Sequence, residues 1–397
     1  MTHGATPSTV RAINDRVTLE LLLEHGTLTR TQLAALTGLS KPTATQLLLR
    51  LAEAGLIVPS GTTSGAPGPN AQLYALNESA AHVGAVDVDE HRVTAAVADL
   101  TGRTIGEVSR DVDYTGPDDP LPSVRQVLTD ACRRGGLKLR DLQQVVLGVP
   151  AAYDATEDRL TFAEHIPGWA QQRTLRRLRA ALRCDLVVEN DVKLAAVWER
   201  GHGAGRDVPF FALLWAGTGL GLAVDLGGSV YTGASGGAGE IGYMRLGLRS
   251  PGGGDLPPTF HDLLGVEAVG ALAEEHGLPA EPAEAVAAAR RDLVRGMPFL
   301  SELARRVAGG LGPIVAVLDP PLVVLAGPTF APGGEVLVQL VREELRVISP
   351  FDTRLATSEV QASPVLQGGL EAGLVQLRGR LFGDGARTTG GRRQAAE

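Results

Sequence analysis

Cysteine is nearly missing: Cys132 and Cys184 are the only two in 397 residues. Two thiols exclude a disulfide framework and any Cys-rich zinc module, so a bridge-dense secreted protein is out. The expectation is a reducing, cytoplasmic setting. Lysine is scarcer still relative to need, at 3 residues against 34 arginines, and the acids leave a net charge of −8. That balance excludes a chain coated in basic nucleic-acid-binding surface, but not one small DNA-reading module. Long apolar runs are also lacking. The uncharged stretch Val208 to Val224 falls short of a bilayer span, and its Gly217, Gly219 and Gly221 suit turns better than a membrane helix. Met1 to Asn14 has no apolar centre of the signal-peptide kind. The length is ample for two or three domains and a core that needs no disulfide or metal staple.

What the chain does have is glycine, 50 residues, many of them at definite turns. Residues 1–12 are expected to be flexible. Residues 13–76 read as a compact helical module with a wing. Ile13, Val17, Leu21 and Leu22 recur at helical spacing and Gly26 ends that helix. Thr29 to Gln32 forms a capping box, after which Leu33 and Leu36 are expected to face inward. Ser40 and Pro42 open a further helix, whose Ala44, Leu47, Leu48 and Leu51 make one apolar stripe. Two short strands, 56–58 and 73–76, flank a Gly/Pro/Ser/Thr-rich stretch, a hairpin wing or a linker.

From His82 the period changes to two. Strands 83–88 and 93–100 lead through Thr101-Gly102 to a third near 105–108. The plan recurs as strand 210–215, the turn Gly217-Thr218-Gly219, strand 220–225, and a third at Val230-Tyr231. This predicts an internal duplication and an α/β protein of two similar lobes, with ligand between them. The lobes are placed at 80–190, with a C-terminal helix 364–381, and at 191–363; residues 383–397 are expected to be a disordered tail.

Three constellations carry chemistry. First, helix, turn, helix and wing is a winged helix-turn-helix plan, leaving Thr43, Gln46 and Arg50 opposite the apolar stripe. Gln and Arg pair with base edges, and Lys41 can reach a phosphate. Residues 1–60 carry five Arg or Lys against four Asp or Glu, so the pattern also suits a protein-interaction module. Second, Gly217, Thr218 and Gly219 let backbone amides approach an anion, although a tight turn with no ligand has the same glycines. The matching turn of the first copy is Asp89-Glu90-His91, with two carboxylates that repel phosphate. Third, Glu189-Asn190-Asp191 ends a strand and opens a helix, a usual ligand position. Asn190 suits a hydroxyl, Asp191 can bind one or take its proton, and either also suits a helix cap. Glu240, in Gly236 to Tyr243, adds an acid in a glycine setting.

Together these residues resemble the ROK family of repressors, open reading frames and kinases, from about Ile13 to Leu381. Residues 29–57, with Leu36-Thr37-Gly38-Leu39-Ser40, are similar to the winged helix of its repressor branch. Leu147-Gly148-Val149-Pro150 with Asp154, and His165 to Trp169, resemble its sugar-side segments. Glu189-Asn190-Asp191, Leu213 to Gly221 and Gly239-Glu240-Ile241-Gly242 match its sugar-binding, phosphate and signature motifs. The resemblance implies a winged helix-turn-helix followed by an actin-like, hexokinase-type (ribonuclease H-like) domain. Sugar would meet Asn190, Asp191, Glu240 and Tyr243.

The departures matter as much. The family's first phosphate turn, Asp-x-Gly-Gly-Thr, is replaced here by Asp87-Val88-Asp89-Glu90-His91. The signature His is Tyr243, no Cys follows in 247–256, and the Asn expected two residues after Asp191 is Lys193. A zinc site is not expected, nor any cofactor. The reading is a sugar-responsive transcriptional regulator, a repressor of carbohydrate genes, acting as a homodimer or homotetramer on operator DNA. Asp191 would be a vestigial base, and Gly217, Thr218 and Gly219 a vestigial phosphate turn. The alternatives are an ATP-dependent sugar kinase and a DNA-binding dimer on a ligand-free scaffold.

Overall fold

The computed structural model describes residues 7–63, 70–171, 173–247, 256–360 and 363–383. The first module comprises α1 (Pro7–His25), β1 (Thr27–Thr29), α2 (Arg30–Thr37), α3 (Lys41–Glu53), β2 (Ile57–Thr62) and β3 (Gln72–Leu76). The strands form an antiparallel sheet in the order β1-β3-β2. The capping box forms as its sequence requires: the Gln32 amide donates to Thr29 Oγ1 and the Thr29 amide to Gln32 Oε1 at 2.8 Å. Ser40 caps α3. Ala44, Leu47, Leu48 and Leu51 are buried as expected.

Three expectations fail here. Residues 7–12 are helical rather than flexible, since α1 starts at Pro7. The inward face of α1 is Thr18, Leu19 and Leu22, while Ile13 and Val17 are exposed. The series Ile13–Val17–Leu21 runs along the neighbouring stripe of the helix, one step off the core. Leu36 is exposed too, because Leu33 alone fills the inward position of the short α2.

The first lobe holds β4 (His82–Val88), β5 (Arg92–Asp99), β6 (Thr104–Asp111), α4 (Leu121–Arg134), β7 (Gln144–Val149), β8 (Ala152–Asp154), β9 (Arg159–Thr161), α5 (Thr174–Leu182) and β10 (Asp185–Asn190). Its sheet runs β10-β7-β4-β5-β6, with β10, β7 and β4 parallel and the rest antiparallel. The hairpin β8–β9 stands apart. Next come α6 (Asp191–His202), β11 (Phe211–Ala216), β12 (Leu220–Asp225), α7 (His261–Leu264), α8 (Val266–Glu275), α9 (Pro282–Arg291), α10 (Leu293–Leu318), β13 (Leu322–Ala326), α11 (Gly334–Ile348), β14 (Arg354–Thr357) and α12 (Pro364–Phe382). The second sheet runs β12-β11-β13-β14, with β11, β13 and β14 parallel.

The two sheets repeat one topology: three parallel strands with a hairpin partner at one edge. The duplication is real but unequal. The third meander strand of the second copy shrinks to a single bridge, Asp225 with Val230. Gly227 and Gly228 both take positive φ there, and the chain leaves the edge before a ladder can form.

α12 packs on β4, β5 and β7 of the first lobe and crosses α6 closely. A Cβ at Gly368 would overlap the Leu194 carbonyl of α6, so the crossing depends on glycine. Leu366, Leu370, Leu374 and Leu377 of α12 share one core with Val83 and Ala96 of the sheet and with Leu19, Leu22, Leu48 and Leu51 of the N-terminal module. The winged module is therefore bonded into the first lobe, while the second lobe keeps a separate core around α10 and α11. No helix among the described residues is long and apolar enough to cross a membrane. The tail from 384 and the N-terminal residues 1–6 lie outside the described residues.

Candidate functional site

A cavity of about 450 Å3 opens between the lobes, and Asn190, Asp191, Thr218, Gly219, Glu240 and Tyr243 all line it. β10 carries the chain out to Asn190, and α6 begins at once. Asn190 is the N-cap: its Oδ1 accepts from the Lys193 amide at 3.2 Å, and its Nδ2 donates to the Ala151 carbonyl at 3.4 Å. It thus performs the capping task and still lines the cleft, with one N–H and one lone pair uncommitted. Asp191 Oδ1 accepts from the Val192 amide at 2.8 Å. Burial pushes its carboxyl up to about 8, and the carboxylates of Asp87, Glu240 and Asp89 add to that. Asp87, near the end of β4, is pushed up to about 7 by burial and by Asp89. Burial thus favours the protonated carboxyl of Asp191, a form that can donate to a hydroxyl as well as accept from one.

Glu240 is placed by two glycines. Gly239 has φ of 100°, its carbonyl accepts from the Leu222 amide at 2.9 Å, and a Cβ would overlap the Leu222 carbonyl. Gly236, φ 81°, presses on Tyr153 of β8 in the same way. Only glycine tolerates both the left-handed backbone and the close approach. Lys193 completes the clamp. Its ammonium, 2% exposed as a residue, donates to the Gly236 carbonyl at 2.6 Å and stands 3.7 Å from Glu189. Sequence reasoning marked Lys193 only as a departure; a lone lysine inside an apolar helical stretch was the available signal.

Tyr243 is 55% exposed, donates its hydroxyl to Glu164 at 3.3 Å, and leans on Phe162 with ring centres 5.0 Å apart. Phe162 was not anticipated. Trp169 is core, packed edge-on against Tyr114. The two turns differ as their sequences do. Thr218 and Gly219 are exposed at the cavity. In the first turn the Asp89 amide donates to the Arg92 carbonyl at 2.8 Å and the His91 amide to the Asp89 carboxylate at 3.1 Å. Those two amides are spent inside the turn, and its carboxylates repel an anion; in the second turn the buried Gly217 donates its amide to the Gly219 carbonyl at 2.9 Å. Thiolate-held zinc does not fit either: Cys132 and Cys184 both belong to the first lobe's core, and Tyr243 is no zinc donor of the usual kind. Residues 248–255, Asp255 among them, lie outside the described residues.

On the winged module Lys41, Thr43 and Gln46 are exposed along α3. Thr43 shares a hydroxyl hydrogen bond with Ser40 at 2.8 Å. Arg50 departs from the base-reading expectation. Its Nε donates to Asp15 at 3.1 Å and its second nitrogen also meets that carboxylate, a bidentate clamp of α3 to α1. Arg30, donating to Thr45 at 3.3 Å, brings another cation to this face.

A family model described as "ROK family" matches residues 83–356. The chain belongs to the ROK family. A second model, "Winged helix-turn-helix DNA-binding", matches residues 11–58 of this ROK chain. Among curated relatives, the uncharacterized protein y4fQ of Sinorhizobium fredii is 25% identical over 96% of this chain and 94% of its own length. A putative xylose repressor of Caldicellulosiruptor is 22% identical over 60% of this chain, and the match spans 59% of that protein. The DNA-binding transcriptional dual regulator NagC of Escherichia coli is 23% identical, with 58% of its length spanned. Among solved structures, a ROK family transcriptional regulator described as a homologue of the E. coli MLC protein aligns over 94% of this chain and 99% of its own, at TM-score 0.69 and 18% identity. The ROK hexokinase of Thermus thermophilus covers 75% of this chain and 99% of its own, at TM-score 0.60 and 23% identity. The kinase-type fold thus accounts for the two lobes, and the regulator-type fold for the winged module as well.

Proposed function

We propose that this ROK protein is a DNA-binding transcriptional regulator of carbohydrate genes, a repressor, that senses a sugar between its lobes and transfers no phosphate. One observation carries the reading. The winged module, the first lobe and α12 share a core, and α12 crosses α6, whose first turn holds Asp191 at the cleft. A ligand with unequal affinity for the open and closed lobes thereby shifts the winged module too. Acting as a homodimer or homotetramer in the cytoplasm, two such modules would read a two-fold operator. Lys41, Thr43 and Gln46 are the proposed DNA contacts, and Asn190, Asp191, Glu240 and Tyr243 the sugar contacts. The repressor names of the relatives support this, as does the self-satisfied turn at Asp89, which argues against ATP.

The test is an electrophoretic shift of a promoter fragment by the full-length protein, with and without sugars, beside a coupled ADP assay. Specific binding that a sugar relieves, and that Gln46→Ala, at an exposed position, weakens without changing the melting temperature, is expected, with no ADP above background. ADP release needing both sugar and Mg2+, and abolished in Asp191→Asn, would restore the kinase reading.

A further inference from the structure

The charge of the cleft is one-sided in carboxylates. Five acids, Glu90, Glu164, Asp191, Glu240 and Glu267, line the cavity; among the described residues no arginine or lysine does, and the basic side chains there are His165 and His261. Lys193, in the first turn of α6, is buried and committed to the Gly236 carbonyl and Glu189. The usual anion site at a helix N-terminus is spent as well, since Asn190 and Asp191 cap the first amides of α6 themselves. A phosphorylated or carboxylated sugar would face repulsion from Glu90, Glu164, Glu240 and Glu267, with His165 and His261 as the basic side chains on the wall.

One corner is built for the opposite charge. Phe162 and Tyr243 are 39% and 55% exposed, unusual in a chain with only 16 aromatic residues, and both face the cavity. Their rings lie 5.0 Å apart at 47°, and Glu164 is tied to the Tyr243 hydroxyl. Two aromatic rings beside a carboxylate supply groups that attract an ammonium. Glu164 and Glu240 also repel each other, with burial and then Glu164 holding the Glu240 carboxyl up against the pull of Lys193. A cation between them relieves that repulsion.

We propose that the effector is an amino sugar with a free ammonium group, its charge held by Glu164, Glu240 and the Phe162–Tyr243 pair and its hydroxyls by Asn190 and Asp191. This rests on the sugar-sensor reading and specifies its ligand.

The experiment is calorimetric titration of the full-length protein with four probes in each of the gluco, galacto and manno series: free hexosamine, N-acetylhexosamine, neutral hexose and hexose 6-phosphate. In at least one series the hexosamine should bind tenfold or more tightly than its acetylated and neutral counterparts, and weaken as salt rises. The phosphate should give no heat. Glu164→Gln, at an exposed position, should erase the hexosamine's advantage while leaving the melting temperature unchanged, and Glu240→Gln should reduce it. A neutral, acetylated or phosphorylated sugar binding as tightly as the hexosamine overturns the ammonium assignment and leaves the sugar sensor standing. An advantage undiminished in Glu164→Gln overturns the cage. Silence from all twelve probes overturns both the ammonium and the sugar reading.

Discussion

Burial holds the carboxyls of Asp191 and Asp87 well above the usual carboxylate range, and this has a measurable sign. Their carboxyls stand at about 8 and about 7 in the folded chain, against about 3.9 in an unfolded one. Between those limits the folded state binds more protons than the unfolded state, so stability falls as pH rises. The melting temperature should therefore drop between pH 5.5 and 8.5, and Asp191→Asn should flatten the slope. A melting temperature that climbs across that range would contradict this account of both residues. Asp191 was legible as a site residue from its place after a strand. Its raised carboxyl was not, because the burial that causes most of the shift, and the nearby Asp87 and Glu240, come from parts of the chain distant in sequence. Arg50 misled for the same reason: helical spacing turned it outward, but Asp15, on another helix, claims it.

Among the elements, the crossing of α6 with α12 is the joint between cleft and DNA module. Gly368→Ala places a methyl group against the Leu194 carbonyl. Parting two packed helices should cost about 1–3 kcal/mol, as overpacking usually does. Urea unfolding measures it, and an unchanged midpoint would show that the helices separate freely. The strands and helices of the first lobe were readable because alternation and helical period are strong there. The hairpin β8–β9 was not, having only three residues a side. The missing third strand of the second copy was masked by Val230-Tyr231, two apolar residues that mimic a strand without forming one.

At the scale of the molecule, the two-lobe plan and the N-terminal module were legible from repeat and punctuation. Their shared core was not, since burial of Leu19 or Leu374 depends on partners hundreds of residues distant. That core makes the winged module and first lobe one cooperative unit. Leu374→Ala should destabilise it by about 2–5 kcal/mol. Hydrogen exchange should then rise together in α1, α3, β4 and β5, while α10 and α11 keep their protection. Faster exchange in the winged helices alone would mean that the module folds by itself.

The order of synthesis gives the same core a different meaning. α12 leaves the ribosome about 275 residues after β4. At ordinary elongation rates that is roughly 15 to 55 s. Throughout that interval Val83 and Ala96 on the sheet lack the leucines that cover them in the finished protein. The growing chain must shelter that apolar face until its partner helix emerges. A translation pause before Pro364 would lengthen the exposure, and the penalty would be aggregation of chains whose DNA-reading helices are already complete.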